Sequence, residues 1–405
     1  METVWLRFPS VYRRAPALTM RLPRAAMIGA MRLRDIRLLP AFALGCLSLL
    51  QAQDAAPLHA VDLATPMAID KLVSQLAAKR VVFVGEFHDR YDHHLNQLEI
   101  IKRLYAADPN LAIGVEYLQQ PFQSTVDDYI AGRIPEQQFL RASEYYPGWG
   151  YDYRLYAPIF RFAHDNKIPV RALNVPKSMA SQVGKTGLAG LSPEQRAYLP
   201  KEIPPADDAY KARLRSAFEG HSAKAKPGDF DRFVEAQVTW DEGMATSAAK
   251  YLNDNPTHRM VILAGSGHIS YGSGIPKRVA RQTQASYAIV LSSGEEIEAD
   301  MADYLLLTPK QNLLPAGTLG ITMEEKDGEV RIKTLSPGGA AEKAGLKKGN
   351  LLAEIDGQRV KSIADVRLML WDKKPGDRVK AGLGKDRVVE IELGGRRAAM
   401  TPAKP

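Results

Sequence analysis

The stretch "VVFVGEFHDRYDHH", Val81 to His94, joins an apolar run to a histidine cluster that holds three of the chain's eight histidines. Four apolar residues in a row stop at Gly85, as a strand buried on both faces does where it leaves a sheet. Glu86 and His88 follow at once. The pattern returns late in the chain as "MVILAGSGH", Met260 to His268. Two buried strands that each end in Gly-x-x-His would bring two imidazoles to one end of a parallel sheet.

The neighbouring segments support such a sheet. Residues 93–107 carry apolar residues at Leu95, Leu98, Ile101 and Leu104, which predicts a helix, with Asp92 as its N-cap. Strands are predicted at 110–118, 168–176, 258–265 and 286–293, and helices at 153–166 and 230–254. Strand–helix alternation with near-continuous apolar strands predicts an α/β fold over 58–308, a mainly parallel sheet with helices on both faces. In such sheets the ligand crevice lies beyond the carboxyl ends of the strands. Glu86, His88, Glu116, Asn174 and His268 all fall at those ends. Gly85, Gly265 and Gly267 are expected to supply left-handed turns beside the ligand. Two imidazoles with one or two carboxylates suit a transition metal or acid–base chemistry. Of the adjacent His93 and His94, His94 is the better placed to face the crevice, because it shares a helix side with Leu98. His164 is read as structural, and His59, His221 and His258 are given no role.

A second feature is "SEYYPGWGYDYRLYAP", residues 143–158, with five Tyr and one Trp. It reads either as a core-covering loop or as a flat ligand wall that offers phenolate to iron.

After Pro309 the pattern changes. A short link, 309–314, leads into alternating short strands and two short helices over 315–394, a compact β-rich domain. Residues 395–405 read as a disordered tail.

The net charge of +8 is concentrated at the start: residues 1–53 hold eight Arg and two acids. The folded part is nearly neutral, which excludes a nucleic-acid-binding body. Residues 1–53 read as an extension and signal peptide, with an apolar run Leu38–Leu50 too short to span a bilayer comfortably. The single cysteine, Cys46, follows "AFALG", which resembles a bacterial lipobox with Ala43 in place of the usual Leu. Export is expected to the periplasm, or to a membrane-anchored lipoprotein if Cys46 is lipidated. Cleavage near Ala52 without a lipid anchor is the other reading. With one cysteine the mature chain has no internal disulfide.

The segment "SPGGAAEKAGLKKGNLLAEIDGQRVKSIADVRLML", 336–370, resembles the PDZ domains of periplasmic bacterial proteases, with "GTLGI" (317–321) at the place of their carboxylate-binding loop. The resemblance implies that Leu319, Gly320 and Ile321 capture a peptide or protein C-terminus while the peptide adds a strand to the sheet. Residues 66–308 resemble the ChaN-like haem-binding lipoprotein family, through "VGEFHDRYDHHLNQLEII", "IGVEYLQQPFQSTVDDYIAGRIPEQQFL", "WGYDYRLYAPIFRFAHDNKIPVRALNVP", "FVEAQVTWDEGMA" and "VILAGSGHISYGSGIPKRVAR". That family is similar to the erythromycin esterase and Tiki group. The resemblance implies haem or iron handling at a bacterial cell envelope, with tyrosine as iron ligand. It carries Glu86, His88, Glu116 and His268 into the site; the helix reading, not the resemblance, adds His94 as a haem- or metal-site candidate. Tyr153, Tyr151 and Tyr156 are candidate ligands, and a homodimer would place haem between two subunits. A binding protein is favoured. The alternative is a metal-dependent hydrolase, an esterase or peptidase in which His88, Glu86, Glu116 and His268 use a divalent transition metal to activate water.

Overall fold

In a computed structural model the chain is described over residues 65–219, 228–294, 298–384 and 387–396. The signal segment with Cys46, and residues 397–405, lie outside these. So do His59 and His221.

The opening stretch supplies the central strand. β1 (Val81–Glu86), β2 (Leu111–Gln119), β3 (Val170–Asn174), β4 (Arg259–Gly265), β5 (Tyr287–Ser292) and β6 (Tyr304–Leu306) form one sheet in the order β3-β2-β4-β1-β5-β6. Every pairing in it is parallel. β1 lies between β4 and β5, so all six of its residues are buried. Successive side chains leave by opposite faces. Val82 and Val84 join Ile113, Val115 and Leu263 in one core, under the helices Tyr91–Ala107 and Ala157–Asn166. Val81 and Phe83 join Ile262, Ala264 and Leu291 in the other, under Asp229–Asp254 and Ile275–Thr283. Each such side chain contributes about 1.5–3 kcal/mol by leaving water. The helix Tyr91–Ala107 accordingly stands without a side-chain cap. Asp92 is not its N-cap. It lies inside the first turn, buried, and takes the Arg90 guanidinium at 2.5 Å.

β6 gives no signal in the sequence, because three residues of intermediate burial carry little periodicity. The segment read as one helix over 153–166 is a 3-10 turn, Tyr153–Leu155, followed by a helix from Ala157. That break decides which tyrosines reach the site.

The smaller region contains β7 (Ala316–Thr318), β8 (Ile321–Lys326), β9 (Glu329–Leu335), β10 (Glu354–Ile355), β11 (Gln358–Arg359), β12 (Arg378–Gly382), β13 (Val388–Glu392) and β14 (Gly394–Arg396). All its strand pairings are antiparallel. β14 pairs with β7, so ordered chain runs to Arg396, into the stretch read as tail. Its core is Leu319, Ile332, Leu352, Ile355, Val366 and their neighbours. The helix Ile363–Leu370 opens with a full capping box between Ser362 and Asp365. It faces two ways: Val366 and Met369 enter this core, while Leu368 is buried in the core of the large domain. Contacts thus join the two regions into one compact unit.

Candidate functional site

The four strand ends converge as expected. Glu86 at the end of β1 lies opposite Gly265 at the end of β4. Glu86 is buried, and its Oε1 meets His88 Nδ1 at 2.5 Å. Burial alone would lower the His88 pKa, but the Glu86 carboxylate beside it raises it to about 9. At neutral pH His88 is therefore an imidazolium. For Glu86 burial opposes ionisation, yet the His88 charge and hydrogen bond hold its pKa below the usual value. His88 rests against Trp149 (4.7 Å between ring centres) and Tyr151 (5.1 Å). Its backbone carbonyl is held by the Tyr156 hydroxyl and by His94 Nε2, each at 3.3 Å.

Gly265 makes room for this ring. A Cβ there would meet His88 Cε1 at 2.8 Å and Glu116 Oε2 at 3.6 Å. None of Gly85, Gly265 and Gly267 has a positive φ, so the expectation of left-handed turns is corrected. Gly85 is likewise a matter of space, since its Cβ would run into Leu291 at 2.3 Å, and Gly267 has nothing within 4 Å.

Glu116 binds the β4 terminus through Gly265 N–H (2.7 Å) and faces His268 Nε2 at 3.5 Å. His268 does not reach the cavity wall. It is 3% exposed and lies behind Glu116, with Nδ1 on Asp241 at 2.6 Å. Burial opposes its charge, but Glu116 and Asp241 together raise its pKa. Asp241 also accepts the Tyr210 hydroxyl. Asn174 joins the group as expected, donating to the Glu116 carbonyl at 2.9 Å and accepting from Trp240 Nε1–H.

His88 and Glu116 form the floor of a cavity of about 370 Å³. Its walls include Tyr117, Trp149, Tyr151, Phe233 and Trp240, and the exposed cations Lys177, Lys185 and Arg232 also line it. Tyr117 Oη and Gln237 Nε2, both buried on this lining, have no hydrogen-bond partner among the described residues. Donor atoms of Glu86, His88 and Glu116 lie within 4.8 Å of one another, a spacing compatible with a metal ion.

Tyr153 is not part of the cavity. It is fully buried, and its hydroxyl donates to Glu136 at 2.9 Å. Burial and the Glu136 charge push its pKa well above the ordinary phenol value, the reverse of what a phenolate ligand needs. Tyr156 is also buried, beneath His88. His94 lies in the same underlayer, between Gln97 (3.2 Å) and the His88 carbonyl. Of the three tyrosines, Tyr151 alone lines the cavity.

The large domain matches the family described as haem-binding uptake, Tiki superfamily, ChaN, over residues 72–279, slightly more than half the chain. The chain belongs to the ChaN family. Residues 317–391 match the PDZ domain, as the sequence motifs implied. Among solved structures the chain is similar to ChaN of Campylobacter jejuni with cofacial haem binding, at 20% identity and TM-score 0.49, covering 59% of this chain and 91% of that one. It is also similar to a mutant of the erythromycin esterase EreC, at 11% identity and TM-score 0.36, covering 82% of this chain and 95% of that one. Among curated proteins it resembles the periplasmic pH-dependent serine endoprotease DegQ of Escherichia coli K12, 23% identical over 176 residues, 40% of this chain. The chain spans about a third (35%) of that relative's length.

Sequence reasoning missed Gln237, Trp240 and Asp241 of this ChaN-family chain. All three lie on the helix Asp229–Asp254 at helical spacing, within the quoted "FVEAQVTWDEGMA". The signal available was the row of polar residues on the same side as buried alanines.

Proposed function

We propose that this ChaN-family protein binds haem in the cavity over His88 and Glu116, and that it is exported and acts at a bacterial cell envelope with its PDZ domain engaging a partner. One observation carries the haem reading: an apolar, aromatic-walled cavity combines a phenol, Tyr151, with three cations, Lys177, Lys185 and Arg232. Haem asks for such a set, an axial donor, apolar walls and cations for its carboxylates. Tyr151 is the favoured iron donor. The His88 ring stands 5.1 Å from the Tyr151 ring. Glu86 holds the His88 charge in place, and Trp149 and Tyr156 fix its ring and backbone. Bound haem would supply iron and a conjugated macrocycle; the chain's residues bind and enclose it. Export rests on the basic and apolar segment Met31–Gln53. Lipidation of Cys46 and a homodimer belong to the same proposal.

Titration of hemin into the purified mature chain tests the reading. The expected result is a shifted Soret band, weakened and displaced in Tyr151→Phe and retained in Tyr153→Phe. An unchanged hemin spectrum in the unmodified chain would sink it.

A second reading is supported by the Glu86, His88 and Glu116 donors, which suit a divalent ion. That ion would have to displace the His88 proton. Elemental analysis of protein purified without chelator separates the two: stoichiometric zinc or manganese without hemin binding favours the hydrolase.

A further inference from the structure

A second cavity, of about 320 Å³, lies between β8 and the helix Ile363–Leu370, where a PDZ domain takes a peptide. Its apolar lining is Leu319, Ile321, Met323, Val366, Leu370 and Trp371. The far wall does not belong to the small domain. It is built by Tyr146 and by Gly150, Tyr151, Asp152 and Arg154 of the large domain. Two bonds dock this segment: Arg367 Nη1 donates to the Gly150 carbonyl (3.2 Å) and Arg154 Nη1 to the Leu314 carbonyl (3.0 Å); nearby, Arg141 pairs with Asp365 (2.7 Å). Tyr151 lines both cavities.

In a PDZ domain such a groove takes the carboxyl terminus of a polypeptide with an apolar last residue; we propose that here its occupancy tightens ligand binding in the large cavity through the shared segment Gly150–Arg154. β8 is hydrogen-bonded to β9 alone among the described strands, so its other edge accepts an added strand. In the loop before it the Leu319 carbonyl accepts from Ala341 N–H and the Gly320 carbonyl from Ser336 N–H, both at 2.8 Å. Gly320 has φ 69°. With its carbonyls held inside the domain, the loop offers its N–H groups to a carboxylate. Asp152 and Arg154 neutralise each other at 2.5 Å, so the wall adds shape rather than net charge. The sign of the coupling follows from the shared segment. A peptide fixes Gly150–Arg154 from one side and a cavity ligand fixes Tyr151 from the other, so the segment's ordering cost is met once for both.

The coupling rests on the haem reading, while the composite groove stands without it. The test uses the full mature chain and a pool of heptapeptides with randomised last three positions, as free carboxylates and as C-terminal amides. The expected result is enrichment of free-carboxylate sequences with an apolar last residue, lost in Met323→Lys. Failure to enrich them overturns the groove. The best enriched peptide is then added at saturation to a hemin titration. Hemin affinity is expected to rise at least threefold in the unmodified chain and to stay constant in Met323→Lys. Unchanged or weakened affinity overturns the coupling. Absence of hemin binding with peptide enrichment intact would strike the haem reading and the coupling, and leave the composite groove standing. Peptide-induced protection from hydrogen exchange at residues 150–154 is expected from contact with the groove wall, and its absence would overturn the composite groove.

Discussion

At the scale of single residues the site is organised by what lies against Gly265 and Glu86. Gly265 has φ −56° and ψ 140°, a conformation open to any residue. Gly265→Ala is therefore expected to fold, while its methyl group forces His88 aside, since a Cβ at this position would lie 2.8 Å from Cε1 of that ring. Overpacking of this kind costs about 1–3 kcal/mol. Hemin affinity is expected to drop about tenfold or more, with Gly267→Ala, which meets nothing within 4 Å, binding as before. Equal binding by both variants would show that His88 does not set the cavity floor. The Glu86–His88 pair also makes stability depend on pH. His88 rises from an ordinary 6.5 to about 9, so its contribution is complete below pH 6.5 and is lost as pH climbs through 9. Glu86 is lowered from 4.5, so its contribution holds above that value and is lost as pH falls through the folded pKa. The melting temperature is expected to fall between pH 7 and about 9.5, and to fall less in His88→Gln. Parallel curves would overturn the assignment.

At the scale of elements the long helix Asp229–Asp254 places a carboxylate, Asp241, under His268. The dyad is buried, and the His268 pKa is raised by Glu116 and Asp241 against burial. Asp241→Asn leaves the buried His268 without a charged partner at its Nδ1, a loss of about 3 kcal/mol in stability at pH 6, below the ordinary imidazole value. Tyr210→Phe removes only a hydrogen bond to the same carboxylate and is expected to cost about 1 kcal/mol. Chemical denaturation over a pH series starting at pH 6 checks both: the Asp241→Asn deficit should be largest at pH 6 and shrink as pH rises through the raised folded pKa of His268. The contrast between Asp241 and the opening motif shows what the sequence could reveal. β1 and β4 were legible because four or more apolar residues in a row have few other uses, and the residue after a buried strand has only one place to go. Asp241 was not, because a carboxylate inside an amphipathic helix looks like part of its wet face. The tyrosines were only partly legible. Their identity in "GYDYRLY" was plain, but the 3-10 turn at Tyr153 turns Tyr151 to the cavity and Tyr153 and Tyr156 to the core. His268 was correctly brought near Glu116, yet a four-residue helix, Ser266–Ile269, turns it behind that side chain rather than into the crevice.

At the scale of the whole molecule the question is whether the PDZ domain is carried on a tether or built into the fold. The sequence shows a short link, residues 309–314, and the structure adds one helix shared between two cores: Leu368 is 3% exposed within the large domain's core, while Val366 and Met369 fill that of the small one. Trp371 extends the contact, edge-on to Tyr153 at 5.3 Å and beneath the Arg161 guanidinium at 5.6 Å. A tethered module would melt on its own, whereas a shared core makes both regions unfold together. The unmodified chain is expected to show one calorimetric transition. Leu368→Ala removes buried volume at the joint, at a cost of about 2–5 kcal/mol, and leaves the small domain's own core in place. It is therefore expected to split the transition in two, with the PDZ region melting first because its core is smaller. Trp371→Ala should do the same more weakly, being half-buried. Two transitions already present in the unmodified chain would mean that the domains are only tethered. The separation has a functional reading as well, because the wall of the peptide groove is lost when the domains part. A Leu368→Ala chain that retains hemin binding but loses its preference among carboxyl-terminal peptides would tie that preference to the joint itself.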